Sequence, residues 1–230
     1  MKNLKKSMMI WAMSLCLISA LQAQDDWANL KKFQENNTAV GMPADNEHRV
    51  VFMGNSITIG WLNSRPEFFK DKPYVNRGIS GQTTPQMLLR FRQDVVDLKP
   101  KVVVILAGTN DIAGNTGPMT LEEILNNIKS MSEVAKSNDI KVVLSSVLPA
   151  FDYPWRPGLN PNEKIPALNK MIKVYAEKAG HIYLDYFSEM ADDRNGLPKE
   201  YANDEVHPTP EGYAVMEPMV EKAIAEALQN

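Results

Sequence analysis

Five consecutive apolar residues, Val102-Val103-Val104-Ile105-Leu106, constrain the fold more than any other feature of this chain. A strand with one wet face alternates apolar and polar residues, whereas an unbroken apolar run implies burial on both faces. Helices must then cover the strand from above and below, as they do in a parallel sheet built from strand–helix–strand units. The rest of the chain repeats the pattern. Val50–Met53, Tyr74–Asn76, Val142–Leu148 and Ile182–Leu184 read as further strands. Between them lie a segment around Ser64–Lys70 and a helix over Thr84–Leu98, where Met87, Leu88, Phe91, Val95 and Leu98 recur at helical spacing. Thr120-Leu121-Glu122-Glu123 has the form of a capping box, opening a helix with Ile124, Leu125, Ile128 and Met131 on one face. Helices near Glu163–Ala179 and Pro210–Leu228 complete the set, and Pro218 is expected to kink or interrupt the last one. The expected fold is α/β: a three-layer α/β/α sandwich around a roughly five-stranded parallel sheet.

The N-terminus reads as a targeting signal rather than as fold. Lys2, Lys5 and Lys6 form a positive region, Met8–Leu21 an apolar stretch, and Leu21-Gln22-Ala23 a cleavage site. The expected organisation is a signal peptide over 1–23, a lead-in over 24–47 and one domain over 48–230. An uncleaved anchor is the alternative, although the apolar run is shorter than the roughly 20 residues a spanning helix needs. Export to the periplasm or the medium is the expected localisation, with no membrane attachment after cleavage. Cys16 is the only cysteine and lies inside the signal, so the mature chain must be stabilised by its core rather than by disulfides. Losing the three lysines takes 25 basic residues to 22 against 28 acidic ones, a net charge of −6. No basic tract remains, which argues against a nucleic-acid partner. In the lead-in, Trp27, Leu30 and Phe33 suggest a short amphipathic helix.

Four loops at the carboxyl ends of the strands carry unusual polar residues. They are Gly54-Asn55-Ser56, then Asn76-Arg77-Gly78-Ile79-Ser80-Gly81, then Gly108-Thr109-Asn110-Asp111, and finally Asp204-Glu205-Val206-His207-Pro208. Ligands of open parallel sheets bind in the crevice beyond those ends. Of the three histidines, His48 and His181 fall at strand starts, so only His207 can reach that crevice. A serine, a histidine and a carboxylate are the parts of a nucleophile, a base and an orienting group.

These blocks, in this order, resemble those of the SGNH (GDSL-type) hydrolase family, over Arg49 to about Ala227. The resemblance implies a flavodoxin-like fold with Ser56 as nucleophile, His207 as general base and Asp204 as the residue that orients it. It further implies an oxyanion hole made by the backbone N–H groups of Ser56 and Gly81 and the side-chain amide of Asn110. One departure stands out: the family's first block is usually Gly-Asp-Ser, and here Asn55 replaces the carboxylate with a neutral amide. The α/β-hydrolase elbow fits less well, because Thr58 stands where its second glycine would be.

Other residues near the blocks are open to two readings. Asp111 either holds the Asn110 loop or meets substrate. Asn55, Trp61, Phe151, Tyr153, Trp155 and Arg156 either line a substrate site, the aromatics as a sugar-stacking wall, or pack their loops onto the domain. The sequence has no paired-cysteine, His-Glu-x-x-His, acidic-loop, P-loop or Gly-x-Gly-x-x-Gly pattern, so neither metal nor cofactor is expected. The expected activity is an exported serine esterase removing small acyl groups, chiefly acetyl, from a glycan. The alternatives are a lysophospholipase or thioesterase of the same family, or a catalytically silent glycan-binding domain. Oligomeric state is left open.

Overall fold

Side chains alternate across a strand, and in the computed structural model, which describes residues 26–229, that alternation feeds two apolar clusters. Val51, Met53, Val103, Ile105, Val142 and Leu144 point to one face of the sheet, and Phe52, Val104, Leu106 and Val143 to the other. The strands are β1 (Val50–Gly54), β2 (Tyr74–Gly78), β3 (Val102–Leu106), β4 (Lys141–Ser145) and β5 (Ile182–Leu184). All pairs are parallel, in the order β2-β1-β3-β4-β5. The register aligns Phe52 with Val104 and Val104 with Val143, which keeps each face apolar across the sheet.

The helices are α1 (Gln34–Val40), α2 (Ser56–Ser64), α3 (Pro66–Phe69), α4 (Thr84–Asp94), α5 (Thr109–Ile112), α6 (Leu121–Lys136), α7 (Pro161–Ala179), α8 (Tyr186–Met190) and α9 (Pro210–Gln229). Residues of α4, α6 and α7 cover one face, and residues of α2, α3 and α9 the other. Thr120 caps α6 as its sequence foretells, with both bonds of the capping box formed. No described helix is long and apolar enough to cross a membrane, and residues 1–23, read above as a signal peptide, lie outside the described residues.

Four local expectations are corrected. The stretch before β1 is not an amphipathic helix through Trp27, Leu30 and Phe33. Residues 26–33 form turns, in which the Asp26 carboxylate takes the N–H groups of Leu30 and Lys31, and helix begins only at Gln34. The segment placed around 64–70 is the short helix α3, but it is preceded by a helix not expected from the sequence, α2, which opens at Ser56 directly after β1. The fourth strand ends at Ser145 rather than Leu148, because Asn169 brackets the Val147 peptide with bonds of 2.8 and 2.9 Å and draws it off the sheet. Finally, of the kink or interruption expected at Pro218, the interruption is absent: α9 continues through it. The missing N–H would have served the carbonyl of Ala214, an exposed residue that water can satisfy. In α7 the same problem at Pro166 is met by a side chain: Asn195 Nδ2 donates to the stranded carbonyl of Asn162, at 3.1 Å.

Candidate active site

In a sheet of this order the strand direction of travel reverses between β1 and β3, where a crevice opens at their carboxyl ends. Ser56 sits there as the first residue of α2. A residue at that position has a backbone N–H with no helical acceptor, and the helix dipole places partial positive charge beside it. Asn55, the residue before, is 1% exposed, and its Oδ1 accepts the Ile57 N–H at 3.0 Å. Asn55 therefore caps α2 rather than facing substrate, and capping requires an acceptor oxygen, not a charge. Gly78 allows the end of β2 to approach: a β-carbon there would lie 2.3 Å from the Ile59 nitrogen and 2.8 Å from the Asn55 carbonyl.

The opposite wall of the crevice is the turn before α9. Asp204 Oδ1 accepts the N–H groups of Val206 (3.0 Å) and His207 (2.7 Å), closing a turn in which Glu205 adopts a left-handed φ of 63°. Asp204 Oδ2 lies 2.6 Å from His207 Nδ1, and His207 Nε2 lies 2.9 Å from Ser56 Oγ. Partial burial alone would raise the Asp204 carboxyl. The two backbone N–H groups and the imidazole together outweigh it and hold the group below the usual carboxylate range. An ionised carboxylate can only accept, so Nδ1 carries the imidazole proton and Nε2 turns a lone pair toward the serine hydroxyl. The side chains of His207 and Asp204 are 39% and 43% exposed, so this row lies in an open, shallow site.

The loops after β2 and β3 complete the crevice. Gly81 has a φ of +76°, the left-handed region where a side chain is strained, and it is exposed, leaving its N–H accessible. Asn110 Nδ2 donates one hydrogen to the Gln82 carbonyl at 2.9 Å. An amide carries two, so that bond fixes the side chain and leaves a second N–H to donate. Asp111 is 2% exposed, and its Oδ1 accepts both the N–H and the hydroxyl of Thr84, at 2.9 and 2.5 Å. Burial pushes its carboxyl up. Of its two readings, the geometry fits the one that holds the Asn110 loop against α4.

The aromatic candidates divide. Trp61 is 2% exposed and stacks between Phe68 and Tyr213, so it packs α2 and α3 against α9 and does not line the crevice. Tyr153 is fully buried, its hydroxyl bonded to the Thr109 hydroxyl and carbonyl. It supports Trp155, stacked on it at 5.3 Å. Trp155 itself is 47% exposed, with its ring 6.0 Å from that of His207. Phe151 is partly exposed under the guanidinium of Arg194, at 4.7 Å. Arg156 spends Nη1 on the carbonyls of Ala113 and Gly114, tying the loop after β4 to the loop of Asn110. It borders a cavity of about 270 Å³ that Asp111 and Lys164 also line.

Sequence reasoning missed Arg90, which is fully buried in α4. Its guanidinium donates to the carbonyls of Gly54 (3.1 Å) and Arg77 (2.9 Å) and to Gln82 Oε1 (2.5 Å), and pairs with Asp94. One side chain thus braces the loops after β1 and β2. A signal was present: Met87, Arg90, Phe91 and Asp94 fall at helical i, i+3, i+4 and i+7 spacing, so the two charges share the inward stripe.

Comparison with known proteins agrees with the fold. The model of the GDSL-like lipase/acylhydrolase family matches residues 52–215. A crystal structure of a candidate acylhydrolase from Bacteroides fragilis is 48% identical, covers 89% of this chain and 99% of its own, and superposes with a TM-score of 0.87. Human platelet-activating factor acetylhydrolase IB subunit alpha2 is 26% identical over 170 residues, 71% of this chain and 68% of its own length. Axe2, an acetylxylan esterase from Geobacillus stearothermophilus, shares the fold at 20% identity and a TM-score of 0.61, over 77% of this chain and 94% of its own.

Proposed function

Because this chain belongs to the GDSL-like lipase/acylhydrolase family and is an ester hydrolase, we propose that it removes small acyl groups, chiefly acetyl, from a carbohydrate outside the cytoplasm. The observation that carries the reading is the unbroken row Ser56 Oγ, His207, Asp204, with contacts of 2.9 and 2.6 Å. Ser56 attacks the ester carbonyl as His207 Nε2 takes its proton. Asp204 holds the imidazole and balances the charge it acquires. The carbonyl oxygen becomes an oxyanion, met by the N–H groups of Ser56 and Gly81 and the free amide hydrogen of Asn110. His207 then protonates the departing alcohol, and water, activated by the same imidazole, releases the acid from the acyl-serine.

The small acyl group and the glycan rest on separate supports. Acetyl is the group named for the human relative. For the glycan, Trp155 offers a flat, exposed ring beside His207, held rigid by Tyr153. Such a platform suits the apolar face of a sugar ring in the leaving alcohol. Secretion is supported by the leader-like residues 1–23.

The test is a series of p-nitrophenyl esters from two to sixteen carbons. Acetate should turn over fastest, with the rate fallen by butyrate and nearly gone by octanoate. The small-acyl reading requires the acyl group to be confined once bound at Ser56, so that each added methylene clashes, at about 1–3 kcal/mol, instead of gaining about 0.8 kcal/mol by burial. A rate rising to eight carbons or beyond would replace this reading with a lipase or thioesterase.

A further inference from the structure

The chain before β1, outside the residues that match the family, is fastened to the loops that bear the oxyanion donors. Its backbone over 26–33 makes turns, and the carbonyls this leaves free are taken by glutamine side chains. Gln82 donates to Ala28, Gln86 to Trp27 and Gln93 to Leu30. Gln86 and Gln93 lie seven residues apart in α4, two helical turns, so both face this N-terminal strap, residues 26–40. Phe33 is 9% exposed and lies under the guanidinium groups of Arg77 and Arg90, at 4.7 and 5.9 Å. Asn37 bridges the same charges: its Nδ2 donates to Asp94 at 2.8 Å and its Oδ1 accepts from Arg77 Nε at 2.9 Å. The strap therefore closes the far side of the buried charges that brace the crevice.

Gln82 is where these contacts converge. It is 2% exposed. Its Oε1 accepts from Arg90 Nε at 2.5 Å, and its Nε2 donates to the Ala28 carbonyl at 2.8 Å. A guanidinium only donates and a carbonyl only accepts, so the amide has one satisfied orientation. The Gln82 backbone carbonyl receives the Asn110 amide at 2.9 Å, and its N–H follows directly on Gly81. We propose that the N-terminal strap is a working part of the oxyanion hole, with Gln82 as the positioning residue that conveys its order to Gly81 and Asn110. This rests on the assignment of those two residues as oxyanion donors. Loosening the strap frees the Gln82 amide, and the peptide that holds Asn110 drifts with it. Ser56 and His207, braced through α2 and α9, stay aligned.

The test uses the full chain with Asn37→Ala, Phe33→Leu, Asn110→Ala and the two strap–Asn110 doubles, assayed on p-nitrophenyl acetate where circular dichroism shows each variant folded. Phe33→Leu keeps most of its side-chain volume, so a folded strap variant remains should Asn37→Ala not hold. Removing an oxyanion donor costs about 10²–10³ in rate, so Asn110→Ala should fall in that range and misplacement by the strap variants should cost about tenfold in kcat. KM and the acid limb of the pH profile should stay unchanged, and adding a strap change to Asn110→Ala should cost less than its full tenfold, since the part that acts through Asn110 is already lost and only the part through Gly81 remains. Strap variants that lose melting temperature yet keep kcat within about twofold, beside a slow Asn110→Ala, would overturn the strap's role alone. So would losses that multiply in the doubles. An Asn110→Ala enzyme at the wild-type rate would instead remove the oxyanion assignment, and this inference with it.

Discussion

The phenol of Tyr213 donates to the carbonyl of Ile57 at 2.8 Å, joining the helix that follows His207 to the helix that opens at Ser56. The bond is buried, and burial raises the Tyr213 hydroxyl well above its ordinary range, so it remains a donor. Stacking of Tyr213 on Trp61 and the two-bond pair between Arg65 and Glu217 act across the same helix–helix seam. The 2.9 Å approach of base to nucleophile is thus set by packing as much as by the turn that carries His207.

Tyr213→Phe should lower stability by about 1 kcal/mol, a net hydrogen bond, and lower kcat by a few-fold without changing KM. Gly60→Ala brings a β-carbon to 2.6 Å from the Tyr213 hydroxyl, so it should destabilise the wild type more than it does Tyr213→Phe. Thermal melts of the two single variants and the double measure the coupling, and additive losses would show that this seam is not tightly packed.

The acid limb of kcat/KM should report one proton, with unit slope, because the lowered Asp204 carboxyl stays ionised while the imidazole is protonated. The same lowering gives a stability term of known sign. The folded value lies below the unfolded one, so the contribution is present above ordinary carboxylate titration and is lost as pH falls through the folded value. Asp204→Asn should remove that term and slow the reaction, though less than His207→Ala does. A limb of slope two, or none between pH 5 and 8, would contradict the assignment of acid and base.

Trp155→Ala should raise KM for acetylated oligosaccharides by about tenfold, consistent with loss of roughly 1–1.5 kcal/mol of ring contact. It should leave p-nitrophenyl acetate within about twofold. Equal losses on both substrates would mean that the ring steadies His207 rather than binding sugar.

Asn55→Asp restores the residue usual in the family. A carboxylate caps a helix as well as an amide does, so the variant should fold, and the enzyme should keep its rate within a few-fold. Abolition of activity would show that the neutral amide is required next to Ser56.

The sheet was legible because both its faces are buried: unbroken runs such as Val102–Leu106 admit little else. The loops that carry Ser56, Asp204 and His207 were legible because parallel topology gathers strand ends at one edge, and the structure brings these three side chains into contact, whereas Gly81 and Asn110 were singled out only through the family resemblance. The start of α2 was not. Ile57-Thr58-Ile59-Gly60 is poor helix-forming sequence, and packing against Tyr213 with the Asn55 cap overrides it. Trp61 misled because it follows Ser56 closely in sequence. Five residues along a helix is about 140° around the axis, which turns the indole into the core. The strap contacts were not legible: Gln86 and Gln93 do recur at two helical turns, but the carbonyls they meet belong to irregular backbone, which has no period of its own.

The most direct test of the central claim is covalent labelling. A serine-directed fluorophosphonate, followed by peptide mass spectrometry, should add one adduct per chain, at Ser56, at a rate that falls with acidity as ester turnover does. Ser56→Ala should retain its fold, take no label and lose activity by several orders of magnitude, since members of such a row act as a unit. An adduct on another serine, or a Ser56→Ala enzyme that still cleaves acetyl esters, would contradict the account.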